Sequence, residues 1–294
     1  MRWRKVTLAG VGLLGGSLGL ALRRRALAEN VTGYVRRESS VAEAIEAGAV
    51  DDATCDLLAA VRGADLIVLC TPLWQMGPLA RKFAPAVEPG AIVTDVGSVK
   101  QALVEELEPV FVGTGAHFVG SHPMAGSERM GVSAAKADLF ERACSIVTPT
   151  ARSLPEAVAR VEQLWSSVGA RPLLMKPDLH DQLVARSSHL PHVLAAHLAS
   201  YVLAQDHPAE QQQVCAGGFR DSTRVAAGSP EMWRDIVTMN RGPVASALKD
   251  FRESLDEFLA ILERNDPAEV EAFFRSAKTL RDQWGARCAP ASPE

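Results

Sequence analysis

Five segments of this 294-residue chain gather groups that bind charge or move protons. Gly10-Val11-Gly12-Leu13-Leu14-Gly15 directly follows an apolar run and opens a helix-like stretch. In that setting G-x-G-x-x-G builds a pyrophosphate cradle. The first glycine turns the chain, the second lets the backbone reach the phosphates, and the third lets helix and strand pack closely. Free N–H groups at the helix start then face the anion. Asp95-Val96-Gly97-Ser98-Val99-Lys100 and Gly120-Ser121-His122-Pro123-Met124-Ala125-Gly126-Ser127-Glu128 each stand at the end of a predicted strand. Ligands of open α/β sheets bind beyond the carboxyl ends of strands, so Ser98 and His122 are expected in one crevice with a nicotinamide. His180-Asp181 with Ser188-His189-Leu190-Pro191-His192 is the fourth segment. Gly217-Gly218-Phe219-Arg220-Asp221-Ser222-Thr223-Arg224-Val225-Ala226, with Trp233 beyond it, is the fifth.

The end of the second predicted strand selects the dinucleotide. An NAD site places a carboxylate about 20 residues past the last glycine, on the ribose 2′-hydroxyl. Here Val35 holds that place, followed by Arg36, Arg37, Glu38 and Ser39. Guanidinium groups match phosphate geometry with paired donors, so NADP is the expected cofactor. NAD is the alternative, with Glu38 on the ribose and the two arginines in a solvated turn. The cofactor is expected against Gly10, Gly12, Leu13, Leu14, Gly15, Arg36, Arg37, Thr71 and Pro72.

These groups need a scaffold, and the first half of the chain supplies an alternating one. Lys5 to Ala9 reads as a strand, Ser17 to Leu27 as a helix, Val31 to Val35 as a strand and Val41 to Ala47 as a short helix. Ala64 to Cys70 is a near-continuous apolar run ending in Thr71-Pro72, as a buried parallel strand should be, and Gly90 to Asp95 repeats the form. His117 to Gly120 is a further short strand. Ser153-Leu154-Pro155-Glu156 looks like a capping box for a helix reaching Ser167. Such alternation predicts a Rossmann-like, doubly wound parallel sheet. Beyond Lys176-Pro177-Asp178 only helical patterns follow. Leu248, Phe251, Leu255, Phe258, Leu259 and Leu262 share one helical face; Val270, Phe273, Phe274, Ala277, Leu280 and Trp284 share another. Asp266-Pro267-Ala268-Glu269 is a helix start. The predicted domains are 1–177, which binds the dinucleotide, and an all-helical 178–294. The two apolar faces fit either a monomeric helical core or a dimer seam.

Composition narrows the class. A net charge of −4 excludes a dominant attraction to nucleic acid or an anionic membrane. Five cysteines, widely spaced and without C-x-x-C, fit a reducing compartment better than a disulfide framework or zinc ribbon. Arg2, Arg4 and Lys5 before the uncharged run Val6 to Leu22 imitate an export signal. Five glycines in that run and Arg23-Arg24-Arg25 after it argue against one, and a cytoplasmic protein is expected. No segment has the apolar length of a membrane span.

Taken together, the five segments resemble the prephenate/arogenate dehydrogenase family of tyrosine biosynthesis, over roughly residues 5–285. The resemblance implies a Rossmann-like domain followed by a helical dimerisation domain, hence a homodimer. It also implies an oxidative decarboxylation: hydride leaves the ring carbon bearing the 4-hydroxyl for NAD(P), and the ring carboxylate departs as CO₂. Prephenate would give 4-hydroxyphenylpyruvate; arogenate would give tyrosine. His122 matches the family's catalytic histidine, a group of the kind that takes a proton near neutrality. Ser98 matches the serine that hydrogen-bonds this histidine and the hydroxyl. Arg224 matches the main carboxylate-binding arginine, a charge-assisted clamp for a dianionic substrate. Arg220 stands where the family often has a lysine. His192 matches a substrate-contacting histidine, and Glu128, Gly217 and Trp233 match residues bordering the pocket. The chain ends soon after the helical part, so any feedback by tyrosine is expected at the active site. The arginine pair departs from the acidic pattern of NAD-using relatives and resembles that of NADP-using arogenate enzymes; prephenate is nevertheless favoured over arogenate.

Each residue has a plainer role to set beside this one. Ser98 can cap a helix from Val99, His122 can be a turn histidine, and Trp233 fits core or gate. His180-Asp181 reads as a helix-start hydrogen bond rather than chemistry. Arg220 and Arg224 can pair with Asp221 or Glu231. His189 and His192, at i and i+3, lack a third ligand at suitable spacing, so no metal is expected. A β-hydroxyacid dehydrogenase would need a helical-domain lysine, for which Lys249 is available on the polar side of its helix. A nucleotide-sensing protein without turnover is the rival from another class.

Overall fold

A computed structural model describes residues 2–127, 129–204 and 208–288. Strands β1 (Trp3–Ala9), β2 (Ala28–Tyr34), β3 (Asp52–Thr54), β4 (Leu66–Leu69), β5 (Ile92–Asp95) and β6 (His117–Phe118) form one parallel sheet in the order β3-β2-β1-β4-β5-β6. Helices α1 (Leu13–Arg24), α2 (Ser39–Glu46), α3 (Leu57–Val61), α4 (Leu73–Phe83) and α5 (Gln101–Leu107) connect its strands. Successive strand residues point to opposite faces, and the core divides accordingly. Val6, Leu8, Leu66 and Val68 pack with Leu18, Leu22 and Trp165 on one face, whereas Ile67 and Leu69 pack with Phe83, Leu107 and Phe111 on the other. Both faces are covered, which is why these strands read as apolar runs rather than alternating ones.

The predicted strand at 117–120 is in fact two. After β6 the chain leaves the parallel sheet at Val119, whose N–H still bonds the Val93 carbonyl at 2.9 Å. It then forms β7 (Gly120–Pro123), antiparallel to β8 (Cys144–Thr148), which pairs in parallel with β9 (Arg171–Leu174). His122 therefore lies within a strand of a second, three-stranded sheet, just past the carboxyl end of β6. α1 begins four residues before the expected Ser17, because Leu13 follows Gly12 directly into the helix. α6 (Pro155–Ser167) starts where expected without a capping box: Leu154 is its N-cap, and the Ser153 hydroxyl instead accepts from Thr150 N at 3.0 Å.

After β9 come α7 (Pro177–Val184), a π-turn over Ala185–His189, α8 (Leu190–Leu203), α9 (Pro208–Val214), α10 (Gly217–Thr223), α11 (Pro230–Met239), α12 (Arg241–Arg264) and α13 (Pro267–Cys288). Contacts divide the chain into one compact unit ending at Val244 and a second beginning at Ala245. In the second, Phe258 meets Phe273 at 4.5 Å and Phe274 at 6.0 Å between ring centroids. Asp266 caps α13, its carboxylate accepting from Ala268 N at 2.9 Å. Leu255, Leu259, Leu280 and Trp284 are exposed on this chain.

Candidate active site

The dinucleotide end of the site is the β1–α1 turn. Gly10 has φ +106°, and a Cβ there would lie 2.9 Å from the Cys70 backbone. At Gly15 a Cβ would overlap the Gly10 carbonyl oxygen, so only glycine lets α1 sit this close to the turn. Gly12 has open space beside it, as a cradle for an anion requires. The N-cap of α1 carries no side-chain hydrogen bond, which leaves its first N–H groups to a ligand. The Thr71 hydroxyl, at the end of β4, is buried without a partner among the described residues. This orphaned donor beside the glycines fits a bound dinucleotide. Arg36 and Arg37 follow β2, both exposed. Neither side chain forms an ion pair among the described residues.

Next to this end lies a buried polar cluster. Lys100 and Asp95 are wholly buried and ion-paired with each other. Lys100 Nζ also donates to the Ser121 carbonyl at 2.8 Å. Asp95 accepts from Ser121 N at 3.0 Å and Gly97 N at 2.8 Å. The Ser121 hydroxyl donates to the Asp95 carbonyl at 2.6 Å. A buried ion pair is tolerable only with further hydrogen bonds to its charged groups, and both partners have them here. These contacts tie β5 to β7 and hold the next residue of β7, His122, with its ring turned the other way.

Nδ1 of His122 lies 2.8 Å from Nε2 of His180. Nδ1 of His180 lies 2.8 Å from the Asp181 carboxylate. That carboxylate also accepts from Lys100 N at 2.8 Å and Gln101 N at 3.0 Å, the first N–H groups of α5. The expected helix-start bond between His180 and Asp181 thus exists, but Asp181 caps α5 rather than its own helix, and His180 reaches the catalytic candidate. His122 makes no hydrogen bond to Ser98. Its Nδ1 is taken by His180, and the half-buried Ser98 hydroxyl has no partner among the described residues. Nor does Ser98 cap α5, whose N-cap is Lys100.

Burial pushes the His122 pKa well below the usual histidine value, and His180, Lys100 and His189 push it the same way. Burial also lowers His180, partly opposed by its bond to Asp181. His189 falls to about 4, again chiefly through burial. Asn240 Nδ2 bridges the Asp181 carbonyl at 2.9 Å and His189 Nδ1 at 3.0 Å, while His189 Nε2 is buried without a partner.

The π-turn presents the remaining groups. It leaves the Ser188 carbonyl to accept from His192 Nδ1 at 2.9 Å. His192 stacks on Trp233, which is half-buried and also packs against the apolar core, so core and pocket wall are the same residue. Arg224, exposed at the end of α10, is near enough to depress the His192 pKa, after the larger effect of burial. Arg220 pairs with Asp221 at 3.4 Å on the surface, as its plainer reading had it. Gly217 is the first residue of α10. Glu128 lies outside the described residues. The reach of His180, the capping role of Asp181, the burial of Lys100 and the Asn240 bridge all depend on tertiary contacts. The adjacency of His180 and Asp181, and Lys100 at the end of a polar segment, are the signals of them in sequence.

A doubly wound sheet with a glycine cradle at its first turn, followed by helices that bring histidines to the buried imidazole of β7, defines a dinucleotide-dependent dehydrogenase. The chain belongs to the prephenate dehydrogenase family. The family's nucleotide-binding domain matches residues 18–174 and its dimerization domain residues 176–276. A prephenate dehydrogenase of Bacillus subtilis is 33% identical over 294 residues, covering 98% of this chain and 78% of that one. The crystal structure of A. aeolicus prephenate dehydrogenase with hydroxyphenyl propionate and NAD+ superposes with a TM-score of 0.90 at 31% identity, covering 96% of this chain and 99% of that one. Synechocystis arogenate dehydrogenase superposes with a TM-score of 0.82 at 34% identity, covering 95% and 99%. This chain is accordingly an NAD(P)-dependent oxidoreductase.

Proposed function

We propose that this enzyme oxidatively decarboxylates prephenate to 4-hydroxyphenylpyruvate, with NADP as its preferred cofactor, in tyrosine biosynthesis. The observation that carries the reading is the buried His122, held between the ion-paired β5–β7 junction and the helical histidines. A bound nicotinamide supplies the hydride acceptor. His122 takes the proton of the ring hydroxyl as the C–H bond at that carbon breaks. The bond from the ring to its carboxylate then breaks and CO₂ leaves. Its electron pair runs through the ring to the oxygen, which recovers a proton as phenol. Aromatisation drives the step, and a neutral imidazole suits it, since only the unprotonated form accepts a proton.

Arg224 and His192 are the proposed contacts for substrate carboxylates, with Trp233, Gly217 and Glu128 around them and Ser98 on the ring hydroxyl. Arg220 is a weaker candidate because Asp221 already engages it. Arg36 and Arg37 are the proposed 2′-phosphate clamp, supported by their position after β2 and their freedom from ion pairs among the described residues. The proposed boundary between the dinucleotide-binding and helical domains is 177/178, supported by the change from strands to helices after β9. A homodimer through the helical part is supported by the exposed apolar residues of α12 and α13. A cytoplasmic location is supported by four unpaired cysteines among the described residues.

The arogenate reading stands second, because the keto and amino side chains differ by one group and the Synechocystis arogenate enzyme superposes well. A matrix of NAD and NADP against prephenate and arogenate tests all of this. The highest kcat/KM is expected for NADP with prephenate. A clear preference for arogenate or for NAD overturns the corresponding half of the proposal.

A further inference from the structure

His180 and Asp181 have no part in the reaction as set out above, yet they are built into the site at some cost. Both are buried, and they lie 58 and 81 residues in sequence from the groups they bond on β7 and at the N-cap of α5. Burying polar groups is unfavourable unless their partners are placed for them.

The direction of each hydrogen bond follows from which atoms are able to donate. The Asp181 carboxylate accepts two backbone N–H groups at the start of α5, one on each oxygen. An anionic carboxylate only accepts, so the bond from His180 places a proton on its Nδ1. A neutral imidazole protonated at Nδ1 has a lone pair at Nε2. His180 Nε2 therefore accepts, and His122 Nδ1 donates. That leaves His122 Nε2 without a proton, and it makes no hydrogen bond to any described residue.

We propose that the His180–Asp181 pair is a positioning dyad that fixes His122 in its Nδ1–H tautomer, so that the Nε2 lone pair receives the substrate hydroxyl proton. The proposal rests on the reading of His122 as the base. In the other tautomer, Nε2 would carry a hydrogen and could not accept. When His122 takes the proton it becomes an imidazolium whose Nδ1–H already points at His180. The Asp181 anion lies one imidazole further on and stabilises that charge. The proton stays on His122 and returns to the phenolic oxygen after CO₂ leaves. Because Asp181 also caps α5, the same carboxylate sets the orientation of His180 and anchors the segment carrying Lys100.

The tautomer is measurable without substrate. In long-range ¹H–¹⁵N spectra of the ¹⁵N-histidine-labelled enzyme at neutral pH, only seven histidines contribute, and loss of signals in His122→Asn assigns residue 122. The expected pattern is a protonated Nδ1 and an unprotonated Nε2. A proton on Nε2 overturns the proposal. Kinetics supply the second arm. His180→Leu, which removes the acceptor, should lower kcat with prephenate by about a hundredfold, on the scale of a misplaced general base. Its Kd for NADP should stay within about twofold, since the glycine cradle is untouched. His180→Gln keeps an acceptor oxygen near the Nε2 position, and should recover all but about tenfold of kcat together with the Nδ1–H spectrum. Equal losses in the two variants, or none in either, overturn the dyad. Should His180→Leu fail to fold, the wild-type spectrum decides. A wild-type enzyme inert toward prephenate and arogenate would refute the substrate reading instead, and the spectrum would still answer for the tautomer.

Discussion

The imidazole of His192 lies nearly flat on the indole of Trp233, with ring centroids 3.8 Å and planes 29° apart. His192 Nδ1 is already engaged by the Ser188 carbonyl, so the stack and this bond together leave only the Nε2 edge for a ligand. Aromatic pairs of this kind contribute about 0.5–1.5 kcal/mol beyond area burial. Trp233→Leu should therefore raise KM for prephenate by roughly threefold to tenfold, with kcat changed less. Steady-state kinetics check this; an unchanged KM would remove Trp233 from the pocket.

Arg224 lies close enough to His192 to depress its pKa, which puts a cation beside the same imidazole. Charge-assisted hydrogen bonds contribute about 1.5–3 kcal/mol. Arg224→Ala is expected to raise KM for prephenate by about tenfold to a hundredfold, leaving NADP affinity as it was. Titration calorimetry of the cofactor alongside the kinetics separates the two effects.

His122→Asn removes the proton acceptor while keeping a polar side chain of similar reach. The expected loss in kcat is about a hundredfold or more, the usual contribution of a general base, and NADP should bind as before. Retention of full turnover would show that another group takes the proton.

The arginine pair after β2 is testable apart from the chemistry. A variant carrying Arg36→Ala and Arg37→Ala should lose about tenfold or more in kcat/KM with NADP, as removal of paired guanidinium–phosphate contacts implies, and change little with NAD. An equal loss with both cofactors would mean that these side chains act through folding rather than through the 2′-phosphate.

Acid should weaken the fold. His189 has a folded pKa of about 4, against an unfolded value of about 6.5. Between those values the unfolded chain binds a proton that the native state refuses, so stability falls as pH drops from about 6.5 toward 4. For His189 alone the slope approaches about 1.4 kcal/mol per pH unit. His122 and His180 are shifted in the same direction and steepen it. Urea midpoints between pH 7.5 and 5, chosen to bracket the upper part of that window, should decline steadily. A flat profile would mean that these imidazoles are hydrated in solution.

Local chemistry was readable where a single residue's backbone or cap carried the information. Gly10 and Gly15 announced the turn because no side chain fits there, and Asp266 announced α13 because its carboxylate caps the Ala268 N–H. The apolar runs of β4 and β5 announced burial on both faces. The sheet switch at Val119 was not readable: β6 has two residues and β7 four, so one continuous run of side chains served two sheets. Ser98 was expected on His122 because the family resemblance implied that bond; strand ends alone placed the two only in one crevice. The hydrogen bond went to His180 instead, since β7 turns His122 toward α7.

From its order of residues alone this protein was already a dinucleotide-dependent dehydrogenase with a helical second half, because periodicity, glycine geometry and capping act over a few neighbouring positions. Which imidazole nitrogen is occupied, which carboxylate caps α5 and which lysine neutralises Asp95 were decided only in three dimensions. Those partners stand far apart in sequence or on different elements, and a hydrogen bond exists only where folding brings donor and acceptor within about 3 Å.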